Sequence, residues 1–180
     1  MATVNLLPNA DVSNDWTIYS GSDAFEMVND DTTVKCVSDL SRLYTTSAGD
    51  EFNVEFTNFT ESYSSIDSIQ VVLRTSVNTR GASYTMITTL TNETTPATSY
   101  YVESSGIVAG SANYRTLTFT SRTTSNGSDA WTNSQLNNIR LAVEADVIST
   151  GTCHCTYAYI IVTYTPPAVT DNAVFFGTNF

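Results

Sequence analysis

His154 is the only histidine in the chain, and it stands between two cysteines, Cys153 and Cys155. Thiolate and imidazole are the donors that zinc prefers, so three such residues in a row raise the question of a metal or redox site. Strand geometry answers it. Successive side chains of a regular strand point to opposite faces, which sends Cys153 and Cys155 one way and His154 the other, and the three cannot converge on one ion. The expectation is two small buried cysteines and an exposed or edge histidine. Any Ser-His-Asp arrangement would have to use the same histidine as its base, and nothing in its surroundings marks it for that role. No catalytic residue, cofactor ligand or metal ligand is assigned from the sequence. Cys36 meets Cys153 or Cys155 only if the fold brings their Cα atoms within about 7 Å, which spacing alone does not decide.

Asp23, Glu26, Asp30 and Asp31, with Asp50 and Glu51, are oxygen donors of the kind calcium takes. They lack the regular Asp-x-Asp-x-Asp-Gly spacing of a calcium loop, and they read as solvated turn acids. Glycoside hydrolysis needs two carboxylates about 5–9.5 Å apart across a groove, and no pair is marked out for it. Trp16, Trp131 and the ten tyrosines could stack on sugar rings, but tryptophans in a sandwich are usually core plugs. A glycan-binding reading therefore requires exposed aromatic residues lining a groove. Sequons begin at Asn58, Asn92 and Asn126, as chance produces in a chain rich in Asn, Ser and Thr, and they are not read as glycosylation.

The elements that must position these residues follow from composition. The chain has 180 residues, the size of one domain with a substantial core. Val, Ile, Thr, Tyr and Phe are abundant, while the residues that fill exposed helix faces are scarce, so strands are favoured throughout. The net charge is -11 with seven basic residues. Lys35 is the single lysine, and no stripe of Arg and Lys could follow phosphates, which argues against nucleic acid as a partner. Such an acidic surface suits solubility in salty water. No apolar run is long enough to span a membrane, and Met1 to Asp11 lacks the pattern of a signal peptide. Three cysteines do not make a disulfide framework, and synthesis in a reducing cytoplasm is expected.

Glu51 to Phe56 alternates cleanly, with Phe52, Val54 and Phe56 on one face, as a half-buried strand requires. Short strands are predicted at Trp16–Tyr19, Phe25–Val28 and Thr33–Val37. Ile69, Val71, Leu73, Thr75 and Val77 share a face, and Tyr84, Met86, Thr88 and Leu90 do so after the turn at Asn78–Gly81, which predicts a long hairpin. Further strands are expected at Ser99–Glu103 and at Tyr114–Thr120. Thr132 or Asn133 caps a single helical turn through Leu136, closed by Asn137-Asn138. Ile139 to Val147 alternates, and with a last strand from His154 to Thr165 it is expected to form the closing hairpin. Strands at this spacing without a crossover helix predict an all-β fold, an antiparallel β-sandwich of jelly-roll type, over residues 1–165.

Pro166-Pro167 stops the last strand, because neither residue can donate a ladder hydrogen bond. Residues 166–180 then form a C-terminal extended tail. Burying each of Val174, Phe175, Phe176 and Phe180 is worth about 1.5–3 kcal/mol, so these side chains are candidates for a contact, either with a neighbouring subunit or with the protein's own sandwich.

The order of features resembles β-rich structural proteins of tailed bacteriophages. The residues that carry the resemblance are Asp11, Ser13 and Trp16; Asn29-Asp30-Asp31-Thr32-Thr33; Asp50-Glu51-Phe52; and Ser65-Ile66-Asp67-Ser68-Ile69-Gln70-Val71. In the second half they are Ala130-Trp131-Thr132, Leu136-Asn137 and the aromatic last strand Tyr157-Ala158-Tyr159-Ile160-Ile161-Val162-Thr163-Tyr164. The resemblance implies a virion part, and chiefly a non-enzymatic capsid decoration (cement) protein on the outer surface of the particle. It implies contacts with the major capsid protein or other virion proteins, and a homo-oligomer, a trimer above all. The alternative is a glycan-binding or structural module of a tail or fibre. The chain shows no internal repeat and no heptads, which argues against a fibre shaft.

Overall fold

A computed structural model of the chain describes residues 1–29, 41–79, 81–92 and 99–168. Asp30, Asp31, the strand expected over Thr33–Val37 with its Cys36, and the tail residues Val174, Phe175, Phe176 and Phe180 lie outside the described residues. In chain order the strands are β1 (Ala2–Leu6), β2 (Pro8–Asn14), β3 (Thr17–Ile18), β4 (Leu43–Thr45), β5 (Glu51–Phe56), β6 (Ser65–Val77), β7 (Ser83–Asn92), β8 (Ser99–Ser104), β9 (Val108–Ala109), β10 (Ser111–Thr118), β11 (Ile139–Ile148) and β12 (Cys153–Thr165). They form two antiparallel six-stranded sheets. The first runs β10-β6-β12-β4-β3, with β1 also on β12; the second runs β2-β5-β11-β7-β8, with β9 also on β7.

The fold is all-β, a jelly-roll-type sandwich. Its path departs from the expected one at two places. β6 and β7 lie in different sheets, as do β11 and β12, so neither pair is the hairpin that alternation suggested. Alternation reports which face of a strand is buried but not which strand it pairs with, and short connections at residues 78–82 and 149–152 serve equally as arches between sheets. The two arches are bonded to each other. Asn78 N–H donates to the Thr152 carbonyl at 3.1 Å, and Thr152 N–H donates to Asn78 Oδ1 at 3.0 Å.

The inward faces are those the alternation marked. Phe52 and Val54 of β5, Ile69 and Leu73 of β6, and Leu141 and Val143 of β11 are all fully buried between the sheets. Thr75 and Tyr84 place their hydroxyls in this core and satisfy each other across 2.8 Å, as buried polar groups must.

Helix among the described residues is confined to α1 (Ala24–Met27) and α2 (Asn133–Leu136). α2 is the expected turn. Thr132 caps it in a capping box with Gln135, which satisfies the free N–H groups of its first turn reciprocally. α1 replaces the strand expected at Phe25–Val28. Its amides are held by a residue of β2: both carboxylate oxygens of Asp11 accept, from Ala24 N–H and Phe25 N–H, at 2.6 Å each.

Candidate functional site

β12 is a central strand, with β6 on one side and β4 and β1 on the other. Cys153 and Cys155 point into the core and are fully buried, both as free thiols. Burial pushes the Cys155 thiol up to about 12 and the Cys153 thiol higher still, so neither supplies a thiolate at neutral pH. His154 faces the other way, as expected, but it is buried at 6 % exposure where an exposed or edge position was expected. The reason is its central strand and the ring of Tyr44, its register partner on β4, whose centroid lies 6.1 Å away.

The other candidates are structural. Trp16 and Trp131 are core plugs at 3 % exposure, each donating its indole N–H to a backbone carbonyl, Asp50 at 3.0 Å and Arg122 at 2.9 Å. Trp131 also meets the rings of Tyr100 and Tyr101 at 5.3 and 6.3 Å. Asp11 caps α1, Asp23 accepts from the Ser22 hydroxyl at 2.9 Å, and the Asp50 carboxylate accepts from Thr45. Glu51 lies on the outer face of the second sheet, directly opposite Glu144 in the ladder. Its carboxyl is raised above the ordinary range by burial and by the charges of Glu144 and Asp15. Among the described residues no group of three or more His, Cys, Asp and Glu side chains could hold a metal ion.

The arrangement with chemical potential is on the outer face of the first sheet. The β12–β6 register shifts between Cys155 and Tyr157, leaving Thr156 as an extra residue whose hydroxyl donates to the Ser41 carbonyl at 2.8 Å. Such a bulge reverses the sense of alternation along the strand. Beyond it Ala158, Ile160 and Val162 fill the core, and Tyr157 and Tyr159 join His154 on the outside. Tyr157 stands opposite Arg74 on β6, and Arg74 stands opposite Thr116 on β10. Tyr159 is likewise opposite Val72, and Val72 opposite Thr118.

These side chains enclose a trough across three strands. Val72 and Arg74 of the middle strand form its floor, Tyr157 and Tyr159 one wall, and Tyr114 and Thr116 the other, around a cavity of about 310 Å³. That volume falls within the ~300–1,000 Å³ typical of small-molecule sites. All three tyrosines are half-buried. The Tyr157 and Tyr159 rings lie 4.6 Å apart, inclined at 35°, and the Arg74 guanidinium sits 5.4 Å from the centre of the Tyr114 ring. Val72 faces outward yet is only 2 % exposed. Further along the same face Tyr19 and Tyr44 pair at 6.5 Å, with the Arg42 guanidinium 3.8 Å over the Tyr19 ring. Thr116 also borders a second cavity of about 260 Å³, which lies between the sheet edges at β8 and β10 and is lined by Glu103, Ser105 and Phe119 among others.

A latch closes that edge. The Glu103 carboxylate accepts from the Thr120 amide (2.9 Å), the Thr120 hydroxyl (2.6 Å) and Arg122 (2.7 Å). Burial opposes its ionisation, but these bonds outweigh burial and hold the carboxyl below the ordinary range.

Sequence reasoning placed Tyr157 and Tyr159 in an aromatic last strand without assigning them a site. The signal was present in the even spacing of Ala158, Ile160 and Val162, which leaves the intervening tyrosines outward.

No known family model matches the chain, and no curated protein sequence matches it. Solved structures of similar fold include the C-terminal CBM6 of LamC, a marine laminarinase from Zobellia galactanivorans, at 11 % identity and a TM-score of 0.45 over 90 % of this chain and 100 % of that one. Others are a CBM4 at 13 % and 0.44, covering 68 % of this chain and 72 % of that one, and the xylan-binding module CBM15 at 11 % and 0.41, covering 92 % and 99 %.

Proposed function

We propose that this chain is a non-catalytic glycan-binding module, with the tyrosine trough across β10, β6 and β12 as its site. The observation that carries the reading is the segregation of the aromatic residues. The tryptophans are spent in the core, while Tyr114, Tyr157 and Tyr159 line an open trough of about 310 Å³ on the outer face of the first sheet. A tyrosine ring offers an apolar face for the C–H face of a pyranose and a phenol that exchanges hydrogen bonds with its hydroxyls, at little cost in side-chain entropy. Arg74 and Thr116 add polar groups to the same walls.

The sequence resemblance supports a place on the particle of a tailed virus, in its tail or fibre, where such a module would contact a surface glycan. A capsid decoration role gives no reason for the trough, and the glycan-binding reading is preferred on that ground. The tail residues Val174, Phe175, Phe176 and Phe180 remain candidates for a subunit contact.

The test is calorimetric titration against a panel of oligosaccharides, with Tyr157→Ala, Tyr159→Ala and Tyr114→Ala beside the parent chain. Each lost ring should weaken binding by about tenfold, since about 1.4 kcal/mol corresponds to that factor, while circular dichroism stays unchanged. Binding that survives all three substitutions would place the site elsewhere and overturn the proposal.

A further inference from the structure

We infer that the ligand is a glycan chain and not a single terminal sugar, running from the trough across β10 into the second cavity, where Ser104 and Glu103 receive a further sugar; this rests on the glycan-binding reading above. The two cavities share a wall. Thr116 lines both the trough of about 310 Å³ and the edge cavity of about 260 Å³, each near the low end of the ~300–1,000 Å³ typical of small-molecule sites. The trough is centred on β6 and the second cavity lies beyond β10, so the two are about 10 Å apart, or roughly two strand spacings. A single sugar ring is smaller than that separation and occupies one of them, whereas a linked chain spans both.

The edge of β10 opens toward the second cavity. Phe119 N–H donates to the Val71 carbonyl at 3.0 Å, and the next amide, Thr120, donates the other way to Glu103 at 2.9 Å. Backbone groups alternate sides along a strand, so Thr116 and Thr118 turn their N–H and C=O groups to this edge, beside their own exposed hydroxyls.

The facing end of β8 completes a wall that both donates and accepts. Ser104 Oγ accepts from Gly106 N–H at 3.2 Å, which leaves its O–H to donate. The Glu103 carboxylate accepts two bonds on Oε1 and one on Oε2. A carboxylate offers about four acceptor sites, so Oε2 keeps one for a hydroxyl, and the side chain is 23 % exposed. Sugar hydroxyls donate and accept in the same way, and they match this mixture on a wall already fixed in place by the latch.

The experiment titrates gluco-, xylo- and manno-oligosaccharides, from disaccharide to hexasaccharide, by calorimetry. In the parent chain affinity should rise by about tenfold or more with length and level off once both cavities are filled. Ser104→Trp, which fills the edge cavity from an exposed position, should erase that gain and leave the disaccharide affinity unchanged. Ser104→Ala, which removes one hydrogen bond, should weaken the hexasaccharide by about two- to tenfold. Affinity that does not change with length, or a gain that survives Ser104→Trp, overturns the second subsite, and the tyrosine substitutions would still report sugar binding in the trough. Failure of every oligosaccharide to bind removes the underlying reading as well.

Discussion

Substituting Gly151 by alanine tests the topology on which the site depends. Gly151 lies in the arch between β11 and β12 with φ at +89°, a region that L-residues with a Cβ occupy at a cost of about 1–2 kcal/mol. A Cβ built there meets Thr79 of the other arch, 2.2 Å from Oγ1 and 2.8 Å from Cβ, and Asn78 Oδ1 at 3.0 Å. Overpacking of this kind adds about 1–3 kcal/mol. Reduced freedom of the unfolded chain returns about 0.4–1 kcal/mol, leaving a loss of about 1–5 kcal/mol. For a chain of this size that lowers Tm by roughly 2–20 °C, at about 2–4 °C per kcal/mol. Urea denaturation of Gly151→Ala, Thr79→Gly and the double variant separates the terms. The contact should appear as a coupling of about 1–3 kcal/mol, because Thr79→Gly removes the two nearer of the three atoms that the new methyl meets, while the backbone strain persists. If β6–β7 and β11–β12 were instead two separate hairpins, residues 79 and 151 would belong to different turns and the effects would add. Additivity within about 0.3–0.5 kcal/mol would refute the crossed arches.

Glu51→Gln should raise Tm at pH 7. Burial and the charges of Glu144 and Asp15 raise the folded carboxyl above its unfolded value, so the ionised form is disfavoured by folding, stability improves as pH falls through the folded pKa, and the advantage of the amide should vanish below about pH 4, where both states are protonated. A gain that persists in acid would mean that the amide acts through something other than charge. Ending the chain at Ala168 should leave the circular dichroism and Tm unchanged and abolish self-association in sedimentation velocity. A fall in Tm with unchanged association would show that Val174, Phe175, Phe176 and Phe180 cover the protein's own sandwich.

Much of the fold can be read from short windows. The face of β5 and the cap of α2 each depend on residues within a few positions of one another, Phe52 with Val54 and Phe56, and Thr132 with Gln135. α1 is different. Its free amides are satisfied by Asp11, 13 positions from Ala24, so Phe25-Glu26-Met27-Val28 carries no local mark that separates one helical turn from a short strand. The sheet partners are equally invisible, because a strand with one apolar face presents the same pattern to a hairpin neighbour and to an arch that crosses to the other sheet. The motifs that carried the resemblance, Asp11, Trp16 and Trp131, turn out to hold the framework: a cap for α1 and two plugs bonded to the carbonyls of Asp50 and Arg122.

The candidate site was hidden by one residue. Read from Cys153, strict alternation sends Tyr157 and Tyr159 inward with the two cysteines, whereas Val162 read backwards sends Ile160 and Ala158 inward and both tyrosines out. The windows disagree by one position, and a strand whose two ends imply opposite faces must contain an extra residue between them. Thr156 is that residue. Its insertion lets one central strand bury Cys153 and Cys155 at one end and Ala158, Ile160 and Val162 further along, with two adjacent tyrosines outside beside Arg74. Without it the same sequence would drive two phenols into spaces sized for alanine and isoleucine and strip the trough of a wall. The bulge is thus what allows a stable core and an aromatic platform to share β12.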